Sequence, residues 1–163
     1  AKRHYGDQAD YAGEVEHDAL LVNLDRNYDG WILHTSSPAL PHVLWCAERA
    51  DVSGFRVMAW VKPFAAFKRN VSVAYAWEPV LIKPMRKPVV SGRIVMRDWV
   101  SESITLKRGL TGAKPDAVCR WAFEMVGAEP ADEMDDLFPG TGAVSDAWWE
   151  WRQEVANASG AEV

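Results

Sequence analysis

The 163-residue sequence contains only two cysteines, Cys46 and Cys119, and its four histidines do not cluster with them. Structural zinc sites need closely spaced Cys and His ligands, so this distribution predicts no metal site, and both thiols are expected to be buried and free within helices. The sequence also lacks an apolar run of membrane-spanning length and a signal-peptide pattern. These absences predict a cytoplasmic protein with no membrane partner.

Two familiar nucleotide-binding motifs are also missing: the G-x-G-x-x-G dinucleotide fingerprint and the phosphate loop that ends in Gly-Lys-Ser/Thr. A glycine pair is present instead, because residues 135–138 lead into Gly140-Thr141-Gly142 and a helical pattern follows. Glycines allow a ligand to approach the backbone closely, and the start of a helix offers free N–H groups. The loop therefore indicates a nucleotide-like ligand, although taken alone it also fits a plain strand-to-helix turn.

Charge is distributed unevenly along the chain, whose net charge is −5. Residues 62–108 contain ten Lys/Arg and three Asp/Glu, a balance of +7, while the remaining residues have a balance of −12. A basic segment on an acidic body favours binding of a phosphate backbone on one face. The alternative is a solvated surface that is rich in lysine and arginine.

The hydrophobic pattern predicts one domain over residues 1–163, with 83–111 as a basic connector and 157–163 as a frayed tail. Helical spacing predicts helices at 16–28, 38–50, 115–126 and 144–155. Apolar runs predict strands at 31–35, 55–62 and 75–82, and a further strand through Asp136; in the second, Phe55, Val57, Ala59 and Val61 share one face. Strands that alternate with helices predict an α/β fold with a largely parallel sheet.

A compound pattern near the end of the chain is more specific than the glycine pair. Lys114-Pro115-Asp116 opens a helix that Gly127 should end, and an acidic-x-Phe-x-Gly-x-Gly stretch follows from Asp136 to Gly142. This tail resembles that of the permuted S-adenosylmethionine (SAM) methyltransferases that modify the exocyclic amine of adenine. The resemblance covers most of the chain, best at residues 55–82 and 112–152. It implies a three-layer Rossmann-like fold, SAM as cofactor and DNA as substrate, with RNA left open.

The resemblance also implies a set of site residues. For SAM it indicates Lys114, which would reach the methionine carboxylate, and an exposed lysine at a helix start is the alternative for that residue. The other cofactor residues are expected to be Pro115, Asp136, Phe138, Pro139, Gly140, Thr141 and Gly142. His34 is a candidate substrate contact or base. The candidates for substrate or nucleic-acid contact are Ser36, Lys62, Lys68, Arg69, Glu78, Arg86, Lys87, Arg93 and Arg97.

The catalytic Asp-Pro-Pro-Tyr/Trp motif of that family does not occur in this sequence. In the family the motif would stand just ahead of a segment like residues 1–7, so we expect the chain to be truncated at its N-terminus and the 163 residues to transfer no methyl group to adenine. A catalytically inactive methyltransferase fold that binds nucleic acid or a partner is the alternative function. Methylation of a small molecule is a third alternative, which the basic segment disfavours.

Overall fold

The computed structural model describes residues 15–64, 70, 72–87, 95–104 and 113–160 of the chain. These residues form four helices and four strands. In chain order they are α1 (His17–Asn27), β1 (Trp31–His34), α2 (Leu40–Arg49), β2 (Arg56–Val61), β3 (Trp77–Lys83), β4 (Trp99–Ser101), α3 (Asp116–Val126) and α4 (Ala143–Gly160).

The four strands form a mixed sheet in the order β1-β3-β2-β4. β3 pairs antiparallel with both β1 and β2, and only β2 and β4 pair in parallel. The prediction of a largely parallel sheet is therefore wrong for these strands. The crossover through α2 makes β1 and β2 point the same way, whereas the described part of the β2–β3 connection holds no helix and β3 returns between them.

Pro79 ends the ladder between β1 and β3. The amide N–H of Thr35 donates to the Pro79 carbonyl at 3.1 Å, but proline has no N–H with which to complete the pair. Hydrogen-bonded and non-hydrogen-bonded pairs alternate along antiparallel strands. Counting back from Thr35, the backbone groups of Leu33 and Trp31 therefore face β3, whereas those of Ile32 and His34 point away from it. β1 is thus an edge strand of the described sheet, and His34 stands at its end.

Helices cover both faces of the sheet. One cluster joins α1 and α2 to the face that carries Trp31 and Leu81, and its buried helix residues are Leu21, Leu24, Val43, Cys46 and Ala47. The other joins α3 to the opposite face through Met58, Trp60, Val80, Ile82, Val118, Ala122, Met125 and Val126. Both cysteines are buried and free, as the sequence predicts. Neighbouring residues of β3 thus serve different cores, because successive side chains of a strand point to opposite faces.

The most deeply buried side chains of β2 lie on the face opposite to Val57, Ala59 and Val61. Met58 and Trp60 are buried against α3, whereas Val57 is 37% exposed. Both alternating sets of this strand are apolar, so the sequence pattern could not separate them. The position of α3 on one side of the sheet decides which set is buried.

The end of α3 is closed by Gly127, as the sequence predicts. Gly127 is left-handed, with φ 75°, and its N–H bonds the Glu124 carbonyl while the Ala128 N–H bonds the Phe123 carbonyl. This pair of bonds is a Schellman motif, which satisfies carbonyls that the helix leaves free. The Arg86 guanidinium, beyond the end of β3, donates to the Gly127 carbonyl at 2.7 Å and binds both carboxylate oxygens of Asp132.

The predicted strand through Asp136 is absent, because residues 128–142 form neither helix nor strand. A strand needs a hydrogen-bonding partner, and none of the described strands pairs with this stretch. Its acidic composition is also poor for a strand. The following helix, α4, packs on α3 through Ala147, Trp148 and Trp151, which lie on the predicted apolar stripe.

Two domain boundaries remain predictions. The proposed connector 83–111 contains the last residue of β3 and all of β4, and its residues 88–94 and 105–111 lie outside the described chain. The helix α4 continues to Gly160. Most of the segment proposed as a frayed tail is therefore helical, and residues 161–163 lie outside the described chain.

Candidate functional site

An apolar cavity of about 420 Å³ lies between α1, β1, α3 and the stretch from Glu133 to Phe138. Its volume falls within the usual range of about 300–1,000 Å³ for small-molecule sites. Apolar and aromatic side chains dominate the walls, among them Leu24, Trp31, Phe123, Met134 and Trp148. The Trp31 indole N–H is buried and has no partner in the described chain. The cavity therefore combines an apolar body with a few polar groups, as ligand sites do.

Three of the predicted cofactor residues line this cavity: Lys114, Asp136 and Phe138. Lys114 is half-buried ahead of α3, and no acidic group of the described chain pairs with its ammonium. The Asp136 carboxylate accepts hydrogen bonds from the Phe138 N–H at 3.2 Å and the Ser145 hydroxyl at 3.3 Å, which fixes the turn that follows. An unpaired ammonium in an apolar cavity is suited to bind a carboxylate.

The other predicted cofactor residues are not part of the cavity wall: Pro115, Pro139, Gly140, Thr141 and Gly142. Pro115 is the N-cap of α3, and its backbone is extended. The glycine loop is exposed except at Gly142, and both glycines have positive φ. The Gly142 N–H donates to the Pro139 carbonyl at 2.7 Å, so the loop closes on itself next to the cavity.

A polar cluster of His34, Lys62 and Glu78 lies where β1 and β2 end and β3 begins. The Lys62 ammonium donates to Glu78 Oε2 at 2.6 Å and lies 4.4 Å from the Trp60 ring centre. His34 Nδ1 is 3.5 Å from Glu78 Oε1, which is too long for a well-formed hydrogen bond. His34 also lines the cavity. The antiparallel return of β3 brings these three side chains together, although the sequence separates them widely.

The cluster has a defined charge state. Burial raises the pKa of Glu78, but the contacts with His34 and Lys62 outweigh it and lower that pKa to about 2. Burial also lowers the pKa of His34, and the positive charges of Lys114 and Lys62 lower it further, while Glu78 acts in the opposite direction. At neutral pH the cluster thus holds an ionised carboxylate next to a neutral imidazole.

The remaining predicted contacts fall into three groups. Arg86 is held by Asp132 and the Gly127 carbonyl, and the Ser36 hydroxyl accepts from the Ala39 N–H at 3.3 Å, so both side chains have local structural partners. Lys87 and Arg97 are exposed, and the Arg97 guanidinium lies 5.3 Å from the Trp99 ring centre. The predicted contacts Lys68, Arg69 and Arg93 lie outside the described residues.

Sequence reasoning did not assign most of the apolar cavity wall to the site, and it also missed two wall residues with polar atoms, Tyr28 and Cys119. Tyr28 is the last residue of the predicted helix 16–28, and its hydroxyl donates to the Asp135 carboxylate at 2.9 Å, which ties the end of α1 to the opposite wall of the cavity. Burial raises the pKa of the Cys119 thiol to about 11, so this sulfur is an apolar wall group and not a nucleophile. No sequence motif indicates either position.

Within the described ranges, no three His, Cys, Asp or Glu side chains are arranged to hold a metal ion. None of the four helices is long and apolar enough to cross a membrane, as far as the described residues extend.

Comparison with known proteins gives one structural likeness. No protein-family model matches the sequence, and no curated protein is significantly similar to it. The solved structure of an M1.HpyAVI–SAM complex superimposes with a TM-score of 0.62 at 16% sequence identity. The match covers 85% of this chain and 73% of that one. The two proteins therefore share a fold, and this chain is a mixed α/β protein of that architecture.

Proposed function

We propose that this protein is a SAM-dependent methyltransferase that acts on the exocyclic amino group of adenine in DNA. The carrying observation is the Lys114 ammonium, which has no acidic partner among the described residues, in an apolar cavity that also includes Asp136 and Phe138. The shared fold with M1.HpyAVI, which was crystallised with SAM, supports SAM as the ligand. A Rossmann-like, permuted arrangement of the chain belongs to the same proposal.

The chain's own residues would bind and orient the cofactor. Lys114 would pair with its carboxylate, and the turn held by Asp136 would place the Phe138 ring and the glycine loop beside the nucleoside. The apolar walls would exclude water from the reacting groups. When bound, SAM supplies a methyl group on a sulfonium, which is a good leaving group, so the residues mainly need to align the acceptor amine.

DNA as the substrate rests on the basic segment 62–108 and on two exposed cations. Lys87 and Arg97 are free to reach phosphates, and Arg97 stands beside the exposed Trp99 ring, which offers a stacking surface. The adenine must leave the base stack before its amine can enter a cavity of this kind.

One observation favours a second function. No Asp-Pro-Pro motif occurs in the 163 residues. A methyltransferase fold without that acceptor for the amine would bind SAM or nucleic acid without transferring the methyl group. The two functions differ in turnover and not in cofactor binding.

Calorimetric titration with S-adenosylhomocysteine (SAH) tests the cofactor site. The wild-type protein is expected to bind, and Lys114→Ala to bind at least tenfold more weakly, since a charged hydrogen bond is worth about 1.5–3 kcal/mol. Lys87→Ala is the matched control, because Lys87 is exposed outside the cavity wall. No binding by the wild-type protein, or equal affinity in both variants, would refute the site.

Transfer of labelled methyl groups from SAM to double-stranded DNA separates the two functions. The assay is run on the 163 residues and on the chain with any native residues that precede Ala1. Transfer by either form supports the enzyme, and cofactor binding without transfer by both forms supports the inactive fold. Oligonucleotides in which purine replaces adenine are the control, because purine lacks the exocyclic amine and should accept no methyl group there.

A further inference from the structure

We propose that His34 is an amino-group acceptor at the polar end of the cavity, with its proton on Nδ1 facing Glu78 and its Nε2 free to accept a hydrogen bond from a ligand. This inference rests on the proposed function, because it names how the same cavity recognises its ligand. It assigns His34 a positioning role, and assigns Glu78 and Lys62 the role of fixing its tautomer.

The geometry distinguishes the two ring nitrogens of His34. Nδ1 is buried, bonds to no described residue and has the Glu78 carboxylate at 3.5 Å as its polar neighbour. Nε2 is not fully buried and has no hydrogen-bond partner among the described residues, and His34 lines the cavity. We infer that Nε2 is the ring nitrogen that a ligand can reach. A carboxylate that faces one nitrogen favours the proton on that nitrogen and leaves a lone pair on the other.

Lys62 maintains this arrangement. Its ammonium binds the second Glu78 oxygen at 2.6 Å, which fixes the carboxylate and keeps it ionised, while only Oε1 faces the imidazole. Among the described residues, the charged groups around His34 are Glu78 from β3, Lys62 after β2 and Lys114 ahead of α3. Two cations and one anion surround the ring, and this balance opposes an imidazolium there.

A neutral acceptor beside an unpaired ammonium selects a particular ligand chemistry. Lys114 attracts a carboxylate or another anionic group, and His34 Nε2 accepts from N–H. Two amino groups could donate there: the α-ammonium of the cofactor's amino-acid part, and the exocyclic amine of the target adenine. The cofactor's own adenine is at the opposite end of that molecule from the carboxylate that Lys114 would bind. Both groups donate N–H, and binding of ligands that lack one group or the other distinguishes between them.

Nitrogen-detected NMR of the imidazole tests the tautomer directly. We expect His34 of the wild-type protein to be the Nδ1–H form at neutral pH, and Glu78→Gln to produce a mixture of the two forms. Glu48→Gln, an exposed matched change on α2, should leave the spectrum unchanged. An Nε2–H form in the wild-type protein would overturn the proposal.

Binding measurements test the acceptor. If the cofactor is the donor, His34→Met should weaken SAH about tenfold and leave 5′-methylthioadenosine, which lacks the amino-acid part, within twofold. If adenine is the donor, the same change should remove about a fivefold preference for an adenine oligonucleotide over its purine counterpart. His34→Gln keeps an acceptor near Nε2 and should restore much of either effect, and His42→Met, exposed on α2 outside the cavity wall, is the control.

The outcomes separate this inference from the proposed function. Wild-type binding that His34→Met leaves unchanged for every ligand overturns the role of His34 alone. If the wild-type protein binds neither SAH nor the oligonucleotide, the proposed function is refuted, and the ligand assigned to His34 is refuted with it. Retained folding of each variant is checked by thermal unfolding.

Discussion

Gly127 and Gly142 bound the stretch between α3 and α4, and they share the same left-handed φ of 75°. Their surroundings are opposite. A Cβ on Gly127 would lie 2.5 Å from the Arg86 carbonyl oxygen, whereas a Cβ on Gly142 would meet no atom within 4 Å. The first turn is packed into the body of the protein, and the second is open to a ligand.

The contrast extends to the side chains around each turn. At Gly127, Arg86 links the end of β3 to the Gly127 carbonyl and to Asp132, and the Met85 N–H donates to the Val126 carbonyl at 3.0 Å. At the second turn the loop bonds mainly to itself, and Phe138 is exposed. Similar glycine turns thus have different surroundings: the first is packed against the end of β3, and the second is exposed next to the cavity.

The largest effect should come from Gly127→Ala. The added Cβ clashes with backbone and the left-handed φ is strained, so we expect the free energy of unfolding to fall by about 3 kcal/mol or more. Gly142→Ala carries only the backbone strain and should cost about 1 kcal/mol. Urea unfolding of both variants measures the difference. Equal losses would show that the Gly127 turn is not packed as described.

Gly142→Val should act on binding and only modestly on folding. Its side chain would extend into space that no described residue fills, where the proposed function places the cofactor, so SAH affinity should fall at least tenfold. Gly54→Val is the matched control, because Gly54 has a similar φ of 78° in an exposed turn outside the cavity wall. Calorimetry with unchanged affinity for Gly142→Val would remove the loop from the site.

Asp132→Asn should weaken the packed turn by less than Gly127→Ala does, and in a pH-dependent way. The hydrogen bond from Arg86 lowers the pKa of Asp132 in the folded protein. The ionised carboxylate therefore contributes fully to the free energy of unfolding above the pKa of about 3.9 that an aspartate has in the unfolded chain, and this contribution is lost as the pH falls below that value. The stability of the wild-type protein should therefore fall more steeply than that of the variant between about pH 5 and pH 3. Parallel curves would show that this ion pair is not coupled to folding.

The smallest effects concern DNA. Lys87→Ala and Arg97→Ala should each flatten the slope of log affinity against log salt by about 1 without loss of stability. Arg86→Ala should instead destabilise the fold, because its guanidinium is already occupied. Arg26→Ala, an exposed change on α1, is the control. Unchanged slopes for Lys87 and Arg97 would make the basic segment a solvated surface.

The helices were predicted well because their patterns are local. The apolar spacing of α3 and the stop at Gly127 follow from residues within one segment, and the stripe of α4 likewise packs as predicted. The positions of β1, β2 and β3 were predicted but their pairing was not, β4 was not predicted, and the strand predicted through Asp136 is absent. β3 inserts antiparallel between β1 and β2, and nothing within residues 77–83 encodes which neighbours it will find.

The structure brings some of the predicted site residues together, and their role at the site stays a prediction. Lys114, Asp136, Phe138 and His34 line one cavity, yet the contact of Glu78 with both Lys62 and His34 depends on the return of β3. Arg86 was predicted as a phosphate contact from its charge alone, but in the structure its guanidinium is bound to the Asp132 carboxylate. A side chain's charge is visible in the sequence, but its partner is not.

The sequence by itself determined the helical segments, the turn glycines and the types of side chain available for binding, because propensity, capping and periodicity act over a few residues. The tertiary structure decided the mixed sheet, the buried face of β2, the cavity and the state of the His34 cluster. These features depend on residues that are distant in the chain, and burial and partner charges change the chemistry of each group only after the fold has brought them together.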